Sequence, residues 1–189
     1  MRYIDEDLFE NKDQKEIELI LAYFYQCDPK KCSGLRMVRL KKARKIESLK
    51  YIPQKSIVLD PFAEKALSPE DRELAINHGL VIIDGSWNTL EEYKNLFSRG
   101  IGRALPFLIA TNPINYGVPT KLSSAEAAIA ALWILGAKKQ AVNIANSIKW
   151  GAEFIAVNKE RLEAYSLAKN SAEVVQAQLK TMRELGYKI

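Results

Sequence analysis

Four short apolar runs do most to limit what this chain can become. They are "ELILAYFY" (18–25), "KSIVLD" (55–60), "GLVIID" (79–84) and "ALPFLIA" (104–110). Their aliphatic and aromatic content predicts strands. A strand with one solvated face alternates apolar and polar residues, and these runs do not alternate. They predict parallel strands buried on both faces.

Helix signals separate the runs. Ser68-Pro69-Glu70-Asp71 supplies an N-cap, a proline for the first helical position and acids for the first turn. Asn88, with Glu91 three residues on, predicts another helix start. The order is β-α-β-α, which predicts a parallel sheet with right-handed crossovers. After Gly117 the strand signals stop. Ser123-Ser124-Ala125-Glu126 is a capping box that opens a helix ending at Gly136. Ala141, Val142, Ile144, Ala145 and Ile148 recur at helical spacing. Asn158 is expected to cap one further helix and Ser171 the last, which ends at Gly186. The expected fold class is α/β. A mostly parallel sheet with flanking helices spans residues 1–110, and an all-helical region spans residues 111–189.

The formal net charge is +5, and its distribution is uneven. Residues 1–18 carry three basic and seven acidic side chains. Residues 30–50 carry nine basic side chains against Glu47 alone. A concentrated basic segment suits a phosphate-rich partner such as RNA, although a solvated face has the same composition. The cysteines are Cys27 and Cys32, and the one histidine is His78. A structural zinc site takes about four such ligands, so no metal is expected. No apolar stretch approaches the length that crosses a bilayer. The acidic start "MRYIDEDLFENKDQ" lacks the apolar core of a signal peptide. A cytoplasmic protein is expected.

In an open parallel sheet, ligands bind outside the carboxyl ends of the strands. Four polar loops follow the four runs: "CDPKKCSG" (27–34), "DPFAEKALSP" (60–69), "DGSW" (84–87) and "TNPINYG" (111–117). Asp28 and Asp60 read as turn residues, because Asp-Pro commonly starts a turn. Asp84 differs, since it follows Val81-Ile82-Ile83 directly. A carboxylate at such a strand end sits partly desolvated and suits proton abstraction, or else it caps a turn. Trp87 belongs either to a core or to the wall of a pocket. Gly100-x-Gly102 lacks the third glycine of a dinucleotide fingerprint, and there is no P-loop sequence.

"DPKKCSG", "LSPED", "GLVIIDGSW", "LPFLIATNPINYG" and "KLSSAEA" occur in one order and are followed by "IKWG". Together they resemble the small-subunit rRNA aminocarboxypropyltransferase family of ribosome-biogenesis enzymes, in its archaeal form. The resemblance spans roughly residues 18–168. It implies an S-adenosylmethionine-binding fold related to the SPOUT methyltransferases, with a trefoil knot around Asn112 to Ser124. It implies transfer of the 3-amino-3-carboxypropyl group of S-adenosylmethionine to N3 of an N1-methylpseudouridine in small-subunit rRNA. Asp84 would be the base. Ser33 and Ser124 would hold the amino-acid carboxylate, and Ile83 the ribose. Backbone groups near Leu108, Tyr116 and Leu122 would read the adenine, and Trp87, helped by Leu90, would cover the methyl group. Lys30, Lys31, Arg36, Arg39, Lys41, Lys42 and Arg44 would grip rRNA phosphates beside the co-substrate. A monomer is expected. Two alternatives share the fold: a SPOUT-type RNA methyltransferase and a non-catalytic rRNA-binding assembly factor.

Overall fold

The computed structural model describes residues 3–5, 9, 15–25, 28–85 and 99–188. Its strands are β1 (Leu19–Tyr23), β2 (Arg44–Ile46), β3 (Ile57–Leu59), β4 (Leu80–Asp84) and β5 (Ile101–Arg103). They form one sheet in the order β2-β1-β4-β3-β5, parallel throughout. Successive side chains of a strand point to opposite faces. Leu19, Leu21, Leu80 and Ile82 therefore join a large apolar cluster with the helices. Ile20, Ala22, Val58 and Val81 join a smaller one with Ile46 and Ile52. Burial on both faces explains why these runs carry no alternation.

The fourth strand is not where the apolar run predicts it. Pairing occurs at "IGR", and residues 105–108 leave the ladder. Pro106 has no N–H to donate to a sheet. The segment pairs with residues 118–120, bridging Ile109 to Pro119, and finds further partners on helices. The Phe107 N–H donates to Gln178 Oε1 at 2.8 Å, and the Tyr165 hydroxyl donates to the Phe107 carbonyl at 2.9 Å. Asn158 accepts from the Ile109 N–H and donates to the Ile109 carbonyl, both at 2.8 Å. β2 escapes a search for apolar runs because "RKI" has a single apolar residue, which is its buried one.

The helices are α1 (Ser33–Arg39), α2 (Arg72–His78), α3 (Ser124–Ile134), α4 (Lys138–Ser147), α5 (Gly151–Leu167) and α6 (Ser171–Glu184). A 3-10 turn at Pro69–Asp71 leads into α2, and Asp71 Oδ2 accepts from the Ser68 N–H at 3.1 Å. α3 starts with the expected capping box, in which Glu126 Oε2 accepts from the Ser123 N–H at 2.7 Å. It is buried almost all round, packed against β4, α1, α4 and α5. A helix apolar on every side must be central.

Two expected caps are corrected. Asn158 lies inside α5, fully buried, as the clamp on Ile109. α6 is capped by Asn170, which accepts from the Glu173 N–H at 3.0 Å. Ser171 instead accepts from the Ala66 N–H at 2.9 Å. Two more amides clamp extended backbone in the same way: Asn146 holds both backbone groups of Ile4, and Gln140 those of Ile17. The helix expected from Asn88 lies outside the described residues. Among the described residues, no helix is long and apolar enough to cross a membrane.

Candidate functional site

Parallel strands place all their carboxyl ends on one edge, and a cavity of about 380 Å³ opens there. Leu59, Asp60 and Pro61 line it from the end of β3, and Ile82, Ile83 and Gly85 from β4. Leu105 and Pro106 add an apolar wall, while Thr120, Leu122, Ser123 and Ser124 lead into α3. Small-molecule sites typically span about 300–1,000 Å³ and combine apolar walls with a few polar groups.

Asp84 sits at this edge, buried, between the starts of two helices. The Ser124 hydroxyl, in the first turn of α3, donates to its Oδ1. The Cys32 thiol, at the N-cap of α1, donates to its Oδ2 at 3.3 Å. The Cys32 sulfur also accepts from the Leu35 N–H at 3.3 Å. Ser33 ties the two helices together, its hydroxyl accepting from the Ala125 N–H at 3.2 Å. Gly34 makes the approach possible: a Cβ there would lie 2.7 Å from Leu21 Cδ1 and 3.2 Å from Asp84 Oδ1. Helix N-termini favour negative charge, so the fold surrounds this carboxylate with donors.

The other expected residues divide. Ile83 and Leu122 line the cavity with Ser124. Leu108 is fully buried, and its carbonyl accepts from the Thr120 N–H at 2.8 Å, which fixes Thr120 at the cavity. The Tyr116 side chain is exposed, and its hydroxyl donates to Glu153 at 2.7 Å. That hydrogen bond raises the Tyr116 pKa. Trp87 and Leu90 lie outside the described residues. "TNPINYG" shapes the chain. Buried Glu126 accepts from the Thr111 N–H at 2.7 Å and from the Asn112 amide at 2.7 Å, and Asn112 in turn accepts from the Asn115 N–H at 3.0 Å.

Two archaeal relatives match nearly end to end. The 16S rRNA aminocarboxypropyltransferase of Methanocaldococcus jannaschii is 45% identical over 167 residues, covering 88% of this chain and 97% of that protein. The protein of the same name from Methanococcoides burtonii is 46% identical over 170 residues, covering 89% and 96%. The chain belongs to the 16S rRNA aminocarboxypropyltransferase family. A family model described as "Ribosome biogenesis protein, C-terminal" matches residues 57–182. Among solved structures, the SAM-dependent rRNA:acp-transferase Tsr3 from Vulcanisaeta distributa superposes with a TM-score of 0.78 at 36% identity, covering 89% of this chain and 97% of that one. A second model, "Possible Fer4-like domain in RNase L inhibitor, RLI", matches residues 18–48. Iron–sulfur clusters of that kind take about four cysteinates. This segment has only Cys27 and Cys32, so its residues do not fit a cluster. Among the described residues, no group of three or more His, Cys, Asp or Glu side chains is placed to hold a metal ion.

This member of the aminocarboxypropyltransferase family also carries site features that its sequence conceals. Asp60 is a turn residue, accepting from the Phe62 N–H at 2.8 Å, and it lines the cavity as well. Burial raises its pKa, against the opposing pull of the Phe62 N–H. The basic segment is divided, because the seven residues of α1 carry the chain about 10 Å back along the sheet. Lys30 and Lys31 precede α1 and are exposed near Asp84's edge. Lys41, Lys42 and Arg44 line a different groove of about 950 Å³, next to the start of β1, with Lys15, Lys139, Glu16 and Glu18. These three therefore lie away from the cavity. Arg44 pairs with Glu18 at 2.6 Å, and Lys42 donates to the Asn143 carbonyl at 2.8 Å. Arg36 donates to the Ser147 carbonyl at 2.7 Å and Arg39 to the Pro29 carbonyl at 3.0 Å.

Proposed function

We propose that this chain transfers the 3-amino-3-carboxypropyl group of S-adenosylmethionine to N3 of an N1-methylpseudouridine in small-subunit rRNA. The observation that carries this reading is 45% identity across nearly the whole of a relative named for the activity. The cavity supports it. Its apolar wall at Leu105, Pro106 and Leu122 suits a flat base, and its hydroxyls at Ser123 and Ser124 suit a carboxylate. When bound, the co-substrate supplies a methylene carbon activated by the neighbouring sulfonium. The N3–C bond forms as the C–S bond breaks, and methylthioadenosine leaves.

The chain's own residues divide the remaining work. Ser33 and Ser124, at two helix starts, hold the amino-acid carboxylate. The Ser124 hydroxyl donates to Asp84 Oδ1, and would turn from that oxygen to donate to the co-substrate carboxylate. Asp84, beside Ser124, takes the N3 proton. Ile83 serves the ribose, and Leu122 with the Thr120 segment serves the adenine. Asp60 faces the positive charge of the co-substrate. Trp87 is assigned to cover the methyl group and direct attack to the methylene. Exposed Lys30 and Lys31 contact rRNA phosphates, which position the substrate without selecting the base.

The reading includes a SPOUT-related path with a trefoil knot around Asn112 to Ser124, and a division near Ala110 between sheet and helical parts. It also includes a monomer acting in the cytoplasm. Mass spectrometry of small-subunit rRNA from cells lacking this protein tests the function. The modified nucleoside should persist as N1-methylpseudouridine without the aminocarboxypropyl group. An unchanged nucleoside would overturn the reading.

A further inference from the structure

The sheet order places β4, which ends at Asp84, between β1 and β3. Tyr25 follows the end of β1 by two residues, and Phe62 follows the end of β3 by three. Neighbouring strands lie about 4.8 Å apart, so these two segments leave the sheet roughly 10 Å apart with Asp84 between them. Both rings face water: Tyr25 is 65% exposed and Phe62 is 40% exposed.

An isolated exposed aromatic needs no explanation, but the Tyr25 ring is held in place and Phe62 sits on a fixed turn. Tyr25 has φ of 59°, in the left-handed region that a non-glycine residue rarely adopts. Its ring packs on buried Tyr23 with centroids 4.7 Å apart. Its hydroxyl donates to Glu47 at 2.6 Å, and Glu47 also pairs with Lys45 at 2.5 Å. The Lys45 ammonium lies 6.0 Å from both ring centroids. Phe62 is fixed through its backbone by Asp60, which also lines the cavity. The left-handed backbone and anchored, water-facing ring of Tyr25 are the marks of a surface kept ready for a flat partner, and Phe62 faces water across Asp84 from it.

We infer that Tyr25 and Phe62 are two stacking faces that hold unpaired RNA bases on either side of the target nucleotide. This rests on the rRNA reading above and adds how the nucleotide reaches Asp84. Proteins read RNA loops by splaying their bases onto aromatic rings. Stacking accepts any base, so these faces select single-stranded geometry and leave the choice of uridine to the crevice.

The test uses the full chain and an rRNA hairpin carrying N1-methylpseudouridine in its loop. RNA affinity, transfer kinetics and co-substrate affinity are measured in parallel, with thermal unfolding as the check on folding. Base stacking is worth about 1–3 kcal/mol per base by alanine substitution. Tyr25→Ala and Phe62→Ala should therefore each weaken hairpin binding, and raise KM for RNA, by about tenfold. Co-substrate affinity should stay as in the unmodified chain. Tyr25→Phe keeps the ring and should keep hairpin affinity. A fully paired duplex of the same length should bind the alanine variants and the unmodified chain equally. Alanine variants that bind the hairpin normally would overturn the inference. So would a Tyr25→Phe loss as large as that of Tyr25→Ala, which would assign the effect to the Glu47 contact. An unmodified chain that transfers nothing to the hairpin would instead overturn the functional reading itself.

Discussion

Asn158→Ala is the sharpest test of how the cavity wall is built. The side chain is fully buried in α5 and satisfies both backbone groups of Ile109 at 2.8 Å. No neighbouring strand can replace it, because the segment has left the sheet. Alanine leaves one donor and one acceptor unmatched, at about 1.5 kcal/mol each, since Ile109 is half-buried and water reaches it in part. Alanine is the better helix former by about 0.6 kcal/mol, which offsets part of that loss. The net destabilisation is roughly 2–2.5 kcal/mol. With a urea m-value near 2 kcal/mol/M, the midpoint should fall by about 1 M. Co-substrate affinity should fall as well, because the same segment carries Leu105 and Pro106 into the cavity. Urea titration followed by circular dichroism measures the first effect, and calorimetry the second. A midpoint shift under about 0.3 M would refute the clamp as the support of this segment.

The site itself yields further expectations. Asp84→Asn should lower kcat by about 100-fold, the low end for a lost general base, while co-substrate affinity changes far less; rapid-quench and equilibrium binding separate the two. Gly34→Ala drives a Cβ to 2.7 Å from the fully buried Leu21, so overpacking should outweigh the gain in helix propensity and cost about 1 kcal/mol, read by thermal unfolding. Burial raises the Asp60 pKa, so its charged form is lost at a higher pH than for an ordinary aspartate. Affinity for the cationic co-substrate should therefore be full above that raised value and decline as pH falls through it, and Asp60→Asn should abolish the inflection in a calorimetric pH series. Replacing Lys30 and Lys31 with alanine should reduce the slope of log affinity against log salt by about 1.4, two phosphate contacts on single-stranded RNA, in a filter-binding titration.

Much of the fold was legible because burial on both faces leaves an unbroken apolar run. β1, β3 and β4 fall inside three of the four predicted runs. The fourth run misled because Leu105 to Ala110 is as apolar as a strand yet bonds to Asn158, Tyr165 and Gln178, which lie 49 to 71 residues away. Local sequence cannot show such partners. The same blindness made Asn158 look like a cap, since residue type alone does not separate a capping amide from a buried clamp. At the site, Ser33, Asp84 and Ser124 do converge. The thiol of Cys32 was hidden because nothing in "KKCSG" shows which carboxylate it will face. Asp60 reads as a turn residue; it makes the turn, and the strand order that brings it to the cavity is a property of the whole sheet. The basic segment looks like one patch because a sequence is linear, whereas α1 folds it along the height of the sheet.

The central claim is the group transferred, and labelled co-substrate measures it directly. S-adenosylmethionine labelled in its carboxyl carbon or in its methyl group would be incubated with this protein and small-subunit rRNA bearing N1-methylpseudouridine. The carboxyl label should enter the RNA, and the methyl label should leave with methylthioadenosine. Methyl label in the RNA without carboxyl label would contradict the account.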